Sequence, residues 1–527
     1  MMSSGTIRHI TPLSICLLAC SVASADFREV AGWNRLIDRI GLENVPDGDG
    51  LSIAMVEAPD GDNYGLNTSD GNFTAHTIID QGPGSLGVSS HANNVGTRYF
   101  GTLESMTPAA DPVHLYQASG WCLDDFLRAN FSSSTPPLSP PGAIKTWNHS
   151  WIGSFGSVNN DQIILRRLDY SVNRDETIMA VGVDNDPDND TLALLDHAFN
   201  VISVGLRSGN HDYSDTDPSY EGGGRMKPHL CAKSSLTSFA TPVVTSGAVM
   251  LVEQIRSDPS LPADGERPEV VKAVMLTGAD HRYSIGNDAW SNEPLDTGAN
   301  RGLAVRPLDD IQGAGQIDVD RNHLVMSGGK VLGGVSPGTT PDASLRGWDW
   351  SFCQVGNMRT WNFTLNGEVE EVSVVATWNR QVPIGFGATW TLGDFNLELV
   401  RLDPDGDGQS IVGSGPEVFQ SGNVRSASTV DNVEHLYIRG LSAGQYQLQL
   451  KLENGGGASS ARAGIAWYFS DPDVIEVPGD INGDGSVTVD DLLQLLAEYG
   501  SCTGCSSDLN GDLETDVNDL LELLTYL

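Results

Sequence analysis

The chain has 527 residues and a formal net charge of −39. That acidity excludes a nucleic-acid surface, which needs clustered Lys and Arg for phosphate, and it points to an exported protein with calcium sites. The length supports a large core and two to four domains.

At the N-terminus, Arg8 and His9 precede an apolar run, Leu13 to Cys20, and then Ala23-Ser24-Ala25. This is the order of an export leader with its small-residue cleavage site, and the run is too short to span a bilayer. Residues 1–25 are therefore expected to leave as a signal peptide, with secretion or display at the cell surface. No later stretch is long enough to read as a transmembrane segment. Removal leaves Cys122, Cys231, Cys353, Cys502 and Cys505. The odd number means that at least one stays free or pairs between chains.

From Asp26 to about Asn322, short β-branched runs alternate with helical ones, the pattern of an α/β domain. Strands are predicted at Leu51–Val56, Val113–Tyr116, Thr177–Val181 and Asn200–Val204, and a helix at Pro268–Leu276. Between about Ala343 and Phe469 the texture becomes alternating strands with Gly, Asn and Asp turns, as in a β-sandwich. The expected divisions are residues 26–325, 340–472 and 473–527.

Leu236 to Leu251 is a run of small and apolar residues that predicts a helix. Pro242 is expected in its first turn, where a missing N–H costs nothing. Ser238 then lies at or just before the helix N-terminus, among unpaired N–H groups and the positive end of the helix dipole. A serine nucleophile and an oxyanion need such surroundings. An N-cap serine on a buried helix is the plain alternative.

The string Leu236-Thr237-Ser238-Phe239-Ala240-Thr241-Pro242-Val243-Val244-Thr245-Ser246-Gly247 resembles the serine motif of subtilisin-like serine peptidases. Upstream, Ser89-Ser90-His91-Ala92-Asn93-Asn94-Val95-Gly96 resembles the family's catalytic-histidine segment, although Ala92, Asn93 and Asn94 depart from it. The strand ending in Glu57 stands where the family has Asp; Asp60 and Asp62 are the alternatives. Asn185, after Met179–Asp184, stands at the oxyanion asparagine, and Val201-Ile202-Ser203-Val204-Gly205 follows at the family's interval. Trp147-Asn148-His149-Ser150-Trp151-Ile152-Gly153 resembles the substrate-pairing strand, and Gly313–Asp318 the closing segment. The resemblance covers roughly residues 45–322. It implies a mostly parallel sheet flanked by helices, a peptide substrate, and catalytic roles for Glu57, His91, Ser238 and Asn185. It also implies a substrate edge at Ser150, Trp151, Ile152 and Gly153.

Two departures favour an alternative, a catalytically impaired domain that serves binding or assembly. Leu236 replaces the family's Gly two before the serine, and the Glu57 strand follows the expected cleavage site too closely for the usual folding pro-domain.

In the sandwich, Trp348, Trp350, Trp361, Trp378, Trp390 and Trp467 read most simply as core, with a carbohydrate-binding face as the sharper reading. Asp403–Gly408 reads as a turn or a calcium loop. In the tail, Asp480, Asn482, Asp484 and Ser486 lead to Asp491 with calcium-loop spacing, Gly485 standing at position 6. The pattern repeats at Asp508, Asn510, Asp512, Glu514 and Asp519, with Leu513 in place of the turn glycine. Each loop precedes a Leu-rich helix. The pair resembles a type I dockerin, a small α-helical module, which implies Ca²⁺ and a cohesin-like or cell-surface partner. Cys502 and Cys505 are candidates for a local disulfide.

Overall fold

The computed structural model describes residues 6–8, 26–82, 85–187, 192–281, 302–336, 338–402, 409–410, 421–471, 479, 481, 487–501, 505–510, 514–524 and 526. The fold is α/β, a large parallel sheet flanked by helices, followed by antiparallel sheets. The parallel sheet has seven strands: β1 (Ile53–Glu57), β2 (Ile78–Asp80), β3 (Val113–Gln117), β4 (Thr146–His149), β5 (Ile178–Gly182), β6 (Ile202–Leu206) and β7 (Leu230–Ala232). Their order is β7-β6-β5-β4-β1-β3-β2, and every neighbouring pair is parallel. The predicted strands match these to within two residues at each end.

Alternation along the strands builds two cores. Ile53, Met55, Ile178, Ala180, Ile202 and Val204 join one core with helices α1 (Ser90–Tyr99), α3 (Thr237–Ser257), α4 (Pro268–Thr277) and α5 (Val319–Ser327). Ala54, Val56, Trp147, Met179 and Val181 face the other way, onto α2 (Val158–Asp175) and the rings of Trp121, Phe126 and Trp151. Coverage on both faces explains why β1, β5, β6 and β7 are buried at every residue.

The helix after Leu236 begins at Thr237, so Pro242 lies beyond its first turn, contrary to the sequence expectation. Pro242 supplies no N–H to the carbonyl four residues back, which is that of Ser238, and its ring crowds that carbonyl. Packing of α3 across the sheet outweighs this local cost, since nearly the whole helix is buried. The closing segment adds to β7: Cys231 N–H bonds to Gly315 O at 2.8 Å and Ile317 N–H to Cys231 O at 2.9 Å. A Cβ at Gly313, where φ is +64°, would sit 2.3 Å from the Pro228 carbonyl oxygen, so only glycine fits there.

The second half forms two antiparallel sheets. One carries β8 (Arg346–Gln354), β14 (Ser460–Phe469), β10 (Val369–Thr377) and β12 (Val433–Leu441) in that order. The other is centred on β11 (Asp394–Arg401), β13 (Gly444–Asn454) and β9 (Met358–Leu365). Trp361, Trp378, Trp467, Phe363 and Phe395 fill the space between them. The outer face of the first sheet packs on α4, and Trp348, Val375 and Ala466 join the α/β core. That explains why all of α4 is apolar or buried: it has sheets on both sides.

In the tail, α6 (Val489–Ala497) and α7 (Val517–Leu523) share a small core of Ile481, Leu495 and Leu523. Cys122, Cys231 and Cys353 are free and buried. Cys505 is disulfide-bonded, to a partner outside the described residues. Residues 1–25 apart from Thr6–Arg8, and residues 403–408, also lie outside them. No helix among the described residues is long and apolar enough to cross a membrane.

Candidate active site

β1 delivers Glu57 at its C-terminal end, fully buried. Ser89 caps α1, its Oγ accepting the Ala92 N–H at 3.3 Å, and this fixes His91 in the first turn. The two side chains meet: Glu57 Oε2 lies 2.7 Å from His91 Nδ1. Burial raises the Glu57 carboxyl above its ordinary range. Burial alone would lower the His91 pKa, but the Glu57 carboxylate outweighs it and the imidazole sits above its usual value. Of the three candidate acids, Glu57 makes the hydrogen bond. Asp60 acts on His91 only through space.

Ser238 is fully buried in the first turn of α3, whose N-cap is Leu236. Phe239 and Ala240 N–H bond to Leu236 O at 2.9 and 3.1 Å, whereas the Ser238 N–H, second in the helix, has no intrahelical carbonyl to reach and is a spare donor by geometry. The next ring, Phe239, packs against the His91 imidazole with centroids 5.8 Å apart, and Arg98 covers Phe239 at 4.8 Å. The packing of α1 on α3 thus sets the His91 imidazole against the residue that follows Ser238. The Ser238 hydroxyl donates to the Ser150 carbonyl oxygen at 3.3 Å. Asn148 holds that segment in place: its Nδ2 donates to Ser150 Oγ at 3.0 Å and its Oδ1 accepts from Thr245 Oγ at 3.0 Å.

Asn185 follows β5 and docks on the same helix end. Its Oδ1 accepts the Thr237 N–H at 2.8 Å, while Thr237 Oγ donates to Val183 O at 2.7 Å. This leaves Asn185 Nδ2 buried with no acceptor. A donor held that way beside a helix N-terminus is arranged to receive a developing negative charge.

The segment Ser150-Trp151-Ile152-Gly153 runs beside the serine. Gly153 pairs with Leu194 through two 3.1 Å hydrogen bonds. The short strand Ile152–Ser154 also pairs antiparallel with Thr6–Arg8, in the register Ile7 opposite Gly153. The edge therefore accepts an extended chain. Trp151 itself is fully buried in the α2 core, so it offers the cleft its backbone and not its ring.

Sequence reasoning missed the supporting roles of Ser89 at His91, Thr237 at Asn185, and Asn148 with Thr245 at the Ser150 segment beside Ser238. A hydroxyl or amide beside each candidate was the available signal.

In the tail, Asp491 is fully buried, accepting the Ile481 N–H at 2.8 Å and the Thr488 N–H at 2.7 Å. Asp519 does the same in the second repeat, with the Leu509 N–H at 2.8 Å and the Asp516 N–H at 2.7 Å. Each loop thus wraps its final carboxylate. Asp508, Asn510 and Glu514 are described beside it, and no group of metal-ligating side chains forms among the described residues. Asp480, Asn482, Asp484, Ser486 and Asp512 lie outside them. No Lys or Arg follows Arg462.

No family model matches the chain, and no curated protein does. Solved structures with a partial likeness include a serine protease of Aeromonas sobria, at 11% identity and TM-score 0.34, covering 80% of this chain and 89% of that one. Fervidolysin from Fervidobacterium pennivorans, a keratinolytic enzyme related to subtilisin, is 14% identical at TM-score 0.35, covering 80% of this chain and 61% of its own. A protease from Pseudoalteromonas arctica is 13% identical at TM-score 0.34, covering 54% of this chain and 91% of that one.

Proposed function

We propose that the protein is a serine endopeptidase. Ser238 Oγ attacks the peptide carbonyl, and His91 Nε2 takes its proton and returns it to the leaving amine. Glu57 fixes the imidazole through Nδ1 and stabilises the imidazolium. Asn185 Nδ2 and the Ser238 N–H receive the oxyanion. The substrate lies extended along Ser150–Gly153, in the manner of the Thr6–Arg8 strand.

The observation that supports this most is the buried Glu57–His91 pair, which packs on the first turn of the helix that carries Ser238 and receives Asn185. A buried Glu–His pair and a buried, unsatisfied Asn amide beside a helix-start serine have no evident structural purpose together. The Ser238–Ser150 hydrogen bond and the bulk of Leu236 favour the second reading, a domain that binds extended peptide without cleaving it.

Export by the leader and Ca²⁺ in the tail complete the proposal. Val489, Leu493 and Leu496 of α6 are at least half exposed, as are their counterparts Val517 and Leu521 of α7 and Leu524 at its C-cap. An apolar stripe repeated in this way suits a cohesin-like or cell-surface protein partner.

The test is hydrolysis of an unfolded protein substrate such as casein. Cleavage that Ser238→Ala and His91→Ala both abolish is expected. No cleavage, with extended peptides still binding, would favour the second reading.

A further inference from the structure

Arg98 is a half-buried cation beside the proposed catalytic groups, and no carboxylate among the described residues pairs with it. It stands seven residues after His91 on α1, two turns on along the same face. Its guanidinium lies 4.8 Å from the Phe239 ring, whose centre is 5.8 Å from the imidazole. Together those distances hold the guanidinium within about 11 Å of His91, roughly three residues of extended chain. The side chain is pinned to its own helix, where Nη1 donates to Asn94 O at 2.8 Å. Nε and Nη2 find no acceptor among the described residues, yet neither is sealed from solvent. Glu104 acts on Arg98 only through space, and burial lowers the guanidinium below its ordinary value. Other half-buried or buried arginines are neutralised, as Arg166 and Arg380 are by Glu221 and Arg321 is by Glu371.

A partly desolvated charge without a counter-ion costs free energy that a bound anion recovers. A substrate carbonyl can accept from Nη2, but every peptide offers carbonyls and none cancels the charge. The acyl half of the substrate lies along Ser150–Gly153, whereas His91 returns its proton to the leaving amine. Residues after the scissile bond therefore start at the imidazole, where Phe239 and then Arg98 follow. Phe239 is only partly buried and offers its ring to the methylenes of a glutamate. Resting on the peptidase reading above, we infer that Arg98 sets specificity: it binds a carboxylate within the first three residues after the scissile bond, from a Glu or Asp side chain or from the substrate's C-terminus.

To test this, full-length wild-type protein is given a mixed peptide library and the cleavage sites are read by mass spectrometry. Carboxylates are expected to be enriched in the first three positions after the cut. Matched peptides with Glu or Gln at the enriched position should differ about tenfold in kcat/KM, the worth of one charge-assisted hydrogen bond. Arg98→Gln should erase that ratio and Arg98→Lys should keep part of it. Arg98→Glu should turn the preference towards Lys peptides, which a purely structural arginine would not do. Amidating the substrate's C-terminus separates the two sources: a preference that survives comes from the side chain, and one that vanishes comes from the terminus. The same library is passed over full-length Ser238→Ala protein to read binding without cleavage. Peptides that bind with the carboxylate preference but are never cut would sink the peptidase reading and leave Arg98 as the carboxylate site. No carboxylate preference in either readout, or a ratio unchanged in Arg98→Gln, overturns the inference.

Discussion

Glu57 carries one methylene more than the aspartate of the resembled family, yet reaches His91 at 2.7 Å. The reach is met because Glu57 ends a buried strand and His91 opens a capped helix, so both backbones are fixed. His91 must be neutral to accept the serine proton, and Glu57 raises its pKa. The rate of hydrolysis should therefore rise with pH through a midpoint above that of an ordinary histidine. In Glu57→Gln the charge is gone, so the midpoint should move down and the plateau should fall, on the order of 10⁴-fold as for loss of an orienting carboxylate. A pH–rate profile of both proteins checks this. An unshifted midpoint would place the orienting acid elsewhere. Asn185→Ala should lower kcat about 10²–10³-fold with little change in KM, since its Nδ2 serves only the transition state. At this scale His91, Glu57 and Ser238 were legible because each sits at an element's end beside recognisable neighbours. Thr237, Asn148 and Thr245 were not, because their role depends on contacts across the sheet.

At the scale of elements, the start of α3 holds the main surprise. Leu236 has φ −144° and ψ 148°, ordinary extended backbone, so glycine is not required there for conformation. Leu236→Gly should leave stability within about 1 kcal/mol, since Gly is a better N-cap than Leu. It should raise kcat/KM more for substrates with bulky side chains than for small ones. Equal changes for both would mean that Leu236 does not narrow the cleft. Pro242 misled the reading of α3 because position within a helix follows from packing, which local proline rules do not contain. The tail repeats were legible as spacing alone. A peptide of residues 479–527 should gain helical circular dichroism with Ca²⁺ and lose it with chelator, because ligand binding supplies its folding energy. The first loop should bind more tightly, since Leu513 stands where the second needs a glycine. Equal helicity in excess chelator would contradict this.

For the whole molecule, the α/β and sandwich portions are joined by polar groups buried between them. Arg380 Nη2 lies 2.6 Å from Asp169 Oδ2, and both side chains are at most 1% exposed. Asn200 Nδ2 donates to Arg380 O at 2.9 Å, and Asn432 Nδ2 to Phe199 O at 2.8 Å. Arg380→Ala leaves Asp169 buried without that partner and should cost about 3–5 kcal/mol, measured by chemical denaturation. A loss under 1 kcal/mol would mean that the junction is not cooperative. The change of texture near residue 340 was legible from strand periodicity. The junction was not, because it gathers residues from four distant segments.

The central claim is an activated Ser238, and the rate at which a fluorophosphonate labels the protein measures it most directly without knowledge of the substrate. Labelling confined to Ser238, accelerating with pH through the raised His91 pKa and absent in His91→Ala, is the predicted result. Labelling elsewhere, or undiminished in His91→Ala, would contradict the account.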